Sequence, residues 1–538
     1  MSTNNKVETS SLLPNGAHRY IHHQQQRSSI SSNDDGDDDD DDDDDNPYQD
    51  EDYDTTKLVS LVAVAAAAAA SLGYDVGIMA AAIQPLHREL GLTDVQKEVT
   101  MGSLNFIAAP GALVGGHVAD AYGRKATVIV CSVLFVVGTV IMAAAENFAF
   151  LLAGRIVLGL GVGVSFVVAP LYLTEVAPTH LRGSLNTFFD MAINSGILLG
   201  YVVGLAVDLV LSPRGFSDDT QWRVMIALGL VLPAIVLIFL TRLPESPRWL
   251  VLKEQSEEAV SVLRDLGNGE AQAKETVEGI EKELRRTARK KRRIDAEGRG
   301  QRGICGWFRS PKIRLATELG FWQQVTGTEA ILYYSADFLA QAGLESMTER
   351  LLGNCGVGIC KLLPELVAMQ FIDRVGRRPL MLASTALLAI TMLGLAASFY
   401  FNWSPVVVVT LLCAVMTSFS IGVGPFSFLV AAENLSTRER STGMTLCAAS
   451  SRVTSGIVAM TAVSLRSVLG DVGFFGLYAA LAAVSGLLFY YPSLPEGSQK
   501  SLEEMNNDDI DPDDDKMHDE KSTTAKGKAL NDYGTNRV

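Results

Sequence analysis

Ionisable side chains stand in stretches of this chain that are otherwise apolar, and their types suggest proton transfer and the holding of a polar ligand. Asp75 lies in "SLGYDVGIM", and Arg155 opens another apolar run. A charge in hydrocarbon is costly unless it faces water or a partner, so each such residue is a candidate for function. Gly73 and Gly77 flank Asp75, and a helix that bends or opens there would let the carboxylate meet water. Arg155 is its natural partner. A carboxylate beside a guanidinium is held ionised, whereas one left alone in a dry interior takes up a proton. A pair that joins and parts is therefore a proton switch. A fixed structural ion pair would use the same two residues.

Glu329 sits in "QQVTGTEAILYYS" with Gln323, Gln324 and Tyr333. The glutamines and the glutamate cannot share one face of an unbroken helix, because positions five and six apart diverge at about 100° per residue. Gly327 offers the break. A helix interrupted there would turn amide, carboxylate and phenol groups towards a wet site, where they donate to and accept from hydroxyl groups. Asp190, Lys361 and Arg452 are further charges inside apolar runs. Structural pairs such as Glu329 with Lys361 would account for the same charges. Asn194 and Ser195 could touch ligand or bridge helices. Tyr334 and Trp322 read equally as packing or interfacial aromatics. His87 and His117 receive no role, and no metal-ligand spacing, phosphate loop or nucleophile elbow is present.

The elements that must position these groups are membrane helices. Of the 538 residues 48% are hydrophobic although 20% are charged, so the charge must be segregated. The first 54 residues, with the Asp37 to Asp45 run, carry a net charge of −13 and the last 46 carry −6. Residues 1–56 and 493–538 are therefore expected to be disordered acidic tails. Between them lie about twelve apolar runs of ~20 residues, each long enough to cross a bilayer as a helix. Residues 57–241 and 315–492 hold six each, and 242–314 is a linker whose "EEAVSVLRDL" and "ETVEGIEKELRRTARKKRR" predict amphipathic helices. Its segment 285–293 could also meet anionic lipid. No signal peptide is expected before the first run. Basic loops "YGRKAT", "THLRGS", "VGRRPL" and "TRERST" share one side with the linker, which predicts that this side and both termini are cytoplasmic. Five of six cysteines fall in apolar runs and Cys305 in the linker, so no disulfide framework is indicated.

The chain repeats itself with a period of about 250 residues. Asp120-x-x-Gly123-Arg124-Lys125 is answered by Asp373-x-x-Gly376-Arg377-Arg378. Glu175, seven residues before Arg182, is answered by Glu433, seven before Arg440, and "LPESPRWL", with Glu245 and Arg248, by "LPEGSQKSL". Carboxylates and guanidiniums at these helix ends could pair when the two halves meet inside and separate when they part, a cytoplasmic gate. Positive-inside topology alone would also place arginines there.

Taken together, "GYDVG", "DAYGRK", "GRIVLGLGVG", "LYLTEVAPTHLRG", "PESPRWL", "QQVTG" and "DRVGRRPL" resemble the sugar porter family of the major facilitator superfamily. "FDMAINSGILLGY", "VGICK" and "SSRVTSGIVAMT" are closer to its plant-type polyol and monosaccharide proton symporters, while "PEGSQK" and Asn434 depart from the family pattern. The resemblance implies an all-α membrane protein of twelve transmembrane helices in two six-helix halves, which is not an enzyme. It implies Asp75 as proton acceptor with Arg155 its partner, and maps Asp190, Gln323, Gln324, Glu329, Lys361 and Arg452 onto positions that line the substrate cavity; Tyr333 shares the Glu329 face. The expectation is symport of a polyol or monosaccharide with the proton as coupling ion and no cofactor. Proton-independent diffusion of hexose and a transport-dead nutrient receptor are the alternatives. A monomer in the plasma membrane, with lipid and small substrate as partners and no nucleic acid, completes the expectation.

Overall fold

A computed structural model describes residues 55–176, 182–241, 243–266, 269–296, 310–435 and 439–494. The acidic tails, the end of the linker with Cys305, and the side chains of Arg182, Asp373 and 287–296 lie outside that description. Among the described residues ten helical stretches are long and apolar enough to cross a membrane. Two features bring the number to twelve. Span seven is broken into Pro311–Val325 and Thr328–Gln341, each too short alone. Spans eleven and twelve are joined in Arg440–Val484 through Gly470, whose φ of 67° and ψ of 173° are not helical.

The remaining spans are Thr55–Glu89, Asp94–Tyr122, Arg124–Ala143, Phe148–Val176, Arg182–Leu211 and Asp218–Leu240 in the first half. Met347–Val375, Arg377–Tyr400 and Pro405–Asn434 are spans eight to ten. Helical repetition over these lengths follows from the rule that backbone groups in lipid must bond within their own segment. Proline perturbs it locally: Pro233 in span six follows a 3₁₀ turn at Leu228–Leu230, where its missing N–H is absorbed. Three helices, Pro247–Leu252, Ser256–Asp265 and Glu270–Ala296, form the linker, and Leu250, Val251, Ala259, Leu263, Ala273 and Val277 give them a small core.

Helix pairing repeats between the halves. Span one packs on five as seven does on eleven, two on four as eight on ten, and three on four as nine on ten. The halves meet where two touches eleven, five touches eight, and one touches the second part of seven. Two glycines mark the sequence repeat in space. Gly123 and Gly376 have φ of 101° and 89°, a left-handed backbone that ends one span and starts the next within a single residue.

Span one corrects an expectation. Gly73 and Gly77 do not open the helix, which runs unbroken past Asp75. They let its backbone lie against span five. A Cβ on Gly73 would collide with the Ile193 carbonyl and one on Gly77 with Ile197, while Gly196 and Gly200 of span five approach Ala70 and Gly77 in return. Close small-residue contact of this kind drives helix association in lipid, where apolar burial cannot.

Gly77→Leu should therefore separate spans one and five, at the cost of an overpacked contact, about 1–3 kcal/mol. The expected reading is a lower melting temperature for the detergent-solubilised protein. An unchanged melting temperature would mean that the two backbones are not in fixed contact.

Candidate functional site

Spans one and four bring Asp75 and Arg155 together in the interior of the first half. Arg155 Nη1 donates to Asp75 Oδ2 at 2.5 Å; the arginine is fully buried and the aspartate 8% exposed. Arg155 Nε and Nη2 have no hydrogen-bond partner in the protein, so one carboxylate oxygen holds the whole guanidinium. Span four can bring it there because Gly159 and Gly163 seat against the backbone of span two.

Span seven breaks at Gly327, with φ of 80°, where a Cβ would strike the ring of Tyr478. The break puts Glu329 in the first turn of a new helix, where the free N–H groups and the helix dipole favour a carboxylate. Gln323 and Gln324 end the preceding helix facing spans ten and eleven: Gln323 Nε2 donates to the Gly424 carbonyl (2.7 Å), and Gln324 Nε2 to Ser451 Oγ (3.2 Å). Asn105 of span two joins the halves here. Its Nδ2 donates to Ser455 Oγ (2.8 Å) and to the Tyr333 hydroxyl (3.3 Å), and its Oδ1 accepts from Arg452 Nη1 (3.2 Å). The Tyr333 phenol is fully buried and accepts from the same Asn105 amide whose oxygen answers Arg452.

Spans five and eight supply the rest. Asp190 is within electrostatic range of Lys361 and Arg452. Lys361 makes no direct ion pair with Glu329; its ammonium lies 5.0 Å over the Phe419 ring. The guanidinium of Arg452 lies 5.1 Å over Phe166, which in turn meets Phe428 of span ten at 5.8 Å, an aromatic contact between halves on the linker side. The sequence reading missed three polar residues at this depth. Glu365 is 2% exposed, one turn beyond Lys361, and accepts from Asn194 Nδ2 at 2.5 Å. Asn105 is 1% exposed, and Asn354 is fully buried with neither amide atom partnered. Each is a polar side chain inside an apolar run, the signal that had singled out Asp190. Ser195, by contrast, is exposed and bonds its own helix at the Met191 carbonyl.

At the linker end the ion pairs seen between described residues stay within a half. Arg124 grips Glu175 through two nitrogens (2.7 and 3.1 Å) and Asp120 at 3.0 Å. Glu245 accepts from the backbone N–H groups of Arg124 and Lys125, and Lys125 Nζ reaches the Leu243 carbonyl. In the second half Arg377 pairs with Glu433 (3.0 Å), Arg378 donates to the Tyr491 carbonyl and Arg440 to that of Ala432. Arg248 is drawn away to Glu283 of the linker (2.8 Å).

The far end is different: Arg88 pairs with Asp218 and Arg466 with Asp471 inside a half, but other polar contacts bridge the halves. Asp337 of span seven accepts from Lys97 (2.5 Å) and Gln84 (2.7 Å), and Gln84 accepts from Arg350 of span eight (3.0 Å). Glu98 takes the backbone N–H and hydroxyl of Ser464 of span eleven, and Asp208 the hydroxyl of Thr348.

The family model described as sugar (and other) transporter matches residues 61–508. Probable polyol transporter 4 of Arabidopsis thaliana is 35% identical over 445 residues, 81% of each chain. The galactose-proton symporter of Escherichia coli is 31% identical, over 80% of this chain and 90% of its own. Among solved structures, the xylose transporter XylE of Escherichia coli in a partially occluded inward-open conformation superposes with a TM-score of 0.70 over 83% of this chain and all of its own; at 22% identity that likeness shows the fold.

Asp337→Asn should weaken the far-end seal, since it strips a Lys97 that is only 12% exposed of its counter-charge, a loss on the order of 3 kcal/mol. Amide hydrogen exchange in 328–341 is expected to rise, and the swap of Lys97→Asp with Asp337→Lys to bring it back down. Equal exchange in all three proteins would mean that the pair seals nothing.

Proposed function

Because the chain belongs to the sugar (and other) transporter family, and is a transporter and not an enzyme, we propose that it carries a polyol or monosaccharide together with a proton, by alternating access. One observation carries the substrate class. Buried donors and acceptors without hydrogen-bond partners among the described residues lie on the spans that meet the first half: Gln324 Oε1 and Glu329 Oε2 on span seven, Glu365 Oε1 on span eight and Arg452 Nε on span eleven. Buried polar groups ordinarily find partners, and a molecule of many hydroxyls satisfies both kinds at once. Its relatives, a probable polyol transporter and a galactose-proton symporter, point the same way. Charge-assisted hydrogen bonds are the strong ones, which suits a flexible open-chain polyol whose ordering must be offset.

In this reading the proton goes to Asp75. Its arrival on Oδ2 breaks the sole bond that holds Arg155, and the freed guanidinium turns to Tyr333 and, through it, to Glu329 and the ligand. The proton and the ligand thereby become alternative partners of one network. No cofactor is needed; the proton is the coupling ion. The linker end is cytoplasmic, with both termini, so the structure is closed outside by the polar bridges of Lys97, Asp337, Gln84 and Arg350 and narrowed inside by Phe166 and Phe428. Outside opening would part those bridges and bring together the linker ends, where Arg124, Glu175, Arg377 and Glu433 would exchange partners across the halves. The protein works as a monomer in the plasma membrane.

Substrate-evoked inward current in voltage-clamped oocytes tests the coupling. Linear polyols at acidic outside pH should give larger currents than at neutral pH, and Asp75→Asn should abolish accumulation while sparing exchange of label. Undiminished accumulation by that variant would make Asp75 structural and favour uncoupled diffusion. Glu329→Gln and Lys361→Met each remove one charged hydrogen-bond partner, about 1.5–3 kcal/mol, and should raise KM for uptake roughly 10- to 100-fold at normal surface level. Loss of uptake in step with loss of protein would return both residues to a purely structural part.

A further inference from the structure

The charges at mid-membrane do not balance. Asp75 and Arg155 neutralise each other, which leaves Asp190, Glu329 and Glu365 against Lys361 and Arg452. Fully ionised, the set has one negative charge too many, in a place where an uncompensated charge is costly. Of the three carboxylates Glu365 is the most deeply buried. It is 2% exposed, Oε1 has no partner in the protein, and Oε2 has only the amide of Asn194.

Its surroundings are narrow. From span five it faces Asn194 and, one turn away, the carboxylate of Asp190; from its own helix it faces Lys361. Span ten, packed on the same helix, offers thiol and hydroxyl groups but no charge: Thr417 donates to the Cys360 carbonyl (3.4 Å), which Pro364 has left without its helical N–H partner. Lys361 is shared with Asp190, and Arg452 acts on Asp190. Two carboxylates thus share Asn194 as a neighbour across the seam: Glu365 of span eight accepts from its amide, and Asp190 stands one turn before it on span five. Like charges so placed repel when both are ionised, and hold when one proton lies between them.

We propose that Asp190 and Glu365 bind a second exchangeable proton across the seam between spans five and eight, so that each cycle carries two protons with its substrate. This rests on the symport reading, with Asp75 as the first site. Proton bound, the carboxylates draw the two spans together; proton released, their repulsion parts the seam. Glu365 lies ten residues before Val375, about 15 Å along the helix from its linker end, so parting the linker end of the seam exposes the pair on that side. Release of the second proton and opening towards the linker are then one event. Among the described residues no cluster of three metal-ligating groups exists, and an ammonium already stands beside the pair, which favours a proton over a metal cation.

The test is the ratio of charge moved to labelled polyol taken up in the same voltage-clamped oocytes. Wild type should move about two charges per substrate and Glu365→Gln about one, since the amide keeps the hydrogen bond to Asn194 and cannot take up a proton. A wild-type ratio of one would overturn the proposal and leave Glu365 permanently protonated, whatever the variant does. A second charge that disappears when choline replaces sodium would overturn it in favour of a cation site. Uptake of label with no current at all would remove the symport reading itself, a result distinct from a ratio of one. Should Glu365→Gln fail to reach the surface, the wild-type ratio in sodium and in choline still decides.

Discussion

A guanidinium with no exposure to solvent, deep in a membrane bundle, persists because one carboxylate oxygen on a neighbouring helix answers it. The contact between Arg155 and Asp75 is that answer, and much of the molecule is arranged to keep it. Span four must come close enough for a long side chain to cross, which Gly159 and Gly163 permit by seating it on span two. Span one must hold the aspartate against it, which Gly73 and Gly77 permit by seating span one on span five. Remove the pairing and an arginine is left unpartnered in low dielectric, a state far costlier than the pair is favourable. The bond is consequential because it is single: Nε and Nη2 have no hydrogen-bond partner among the described residues, so no second hydrogen bond holds the guanidinium.

The polar contacts elsewhere are unevenly divided between the ends. At the linker end the described ion pairs stiffen each half internally; at the far end, beside internal pairs such as Arg88 with Asp218 and Arg466 with Asp471, the Lys97–Asp337 pair and the Arg350–Gln84 hydrogen bond tie one half to the other. Such an arrangement makes each half a firm body and the seam between them the soft element. Asn105, Tyr333 and Arg452 cross that seam, so a small set of buried polar side chains joins the halves there.

Much of this was legible in the sequence, for physical reasons that differ from residue to residue. Gly327 was readable as a break because two amides and a carboxylate five and six apart had no common face, and the backbone there is left-handed. The Asp-x-x-Gly-Arg repeat was readable because a one-residue corner between antiparallel spans needs a glycine, as Gly123 and Gly376 show. Gly73 and Gly77 were misread, since a glycine that yields and a glycine that admits a neighbour look alike until the neighbour is known. Glu365 was passed over although it obeys the same rule as Asp190. It follows Pro364 near the end of a run that closes in charged residues, and its depth became plain only with Asn194 of span five against it. Asn105 and Asn354, neutral, drew no attention beside so many charges.

The interleaved backbones of spans one and five have a mechanical consequence. Gly196 and Gly200 approach span one as closely as Gly73 and Gly77 approach span five, so the two helices have no room to slide and must travel as one plate. Asp75 is fixed to one side of that plate, Asp190 and Asn194 to the other. Any movement that carries the one carries the other, and neither can complete a stroke alone. The glycines that interleave the two backbones are what keep that plate whole.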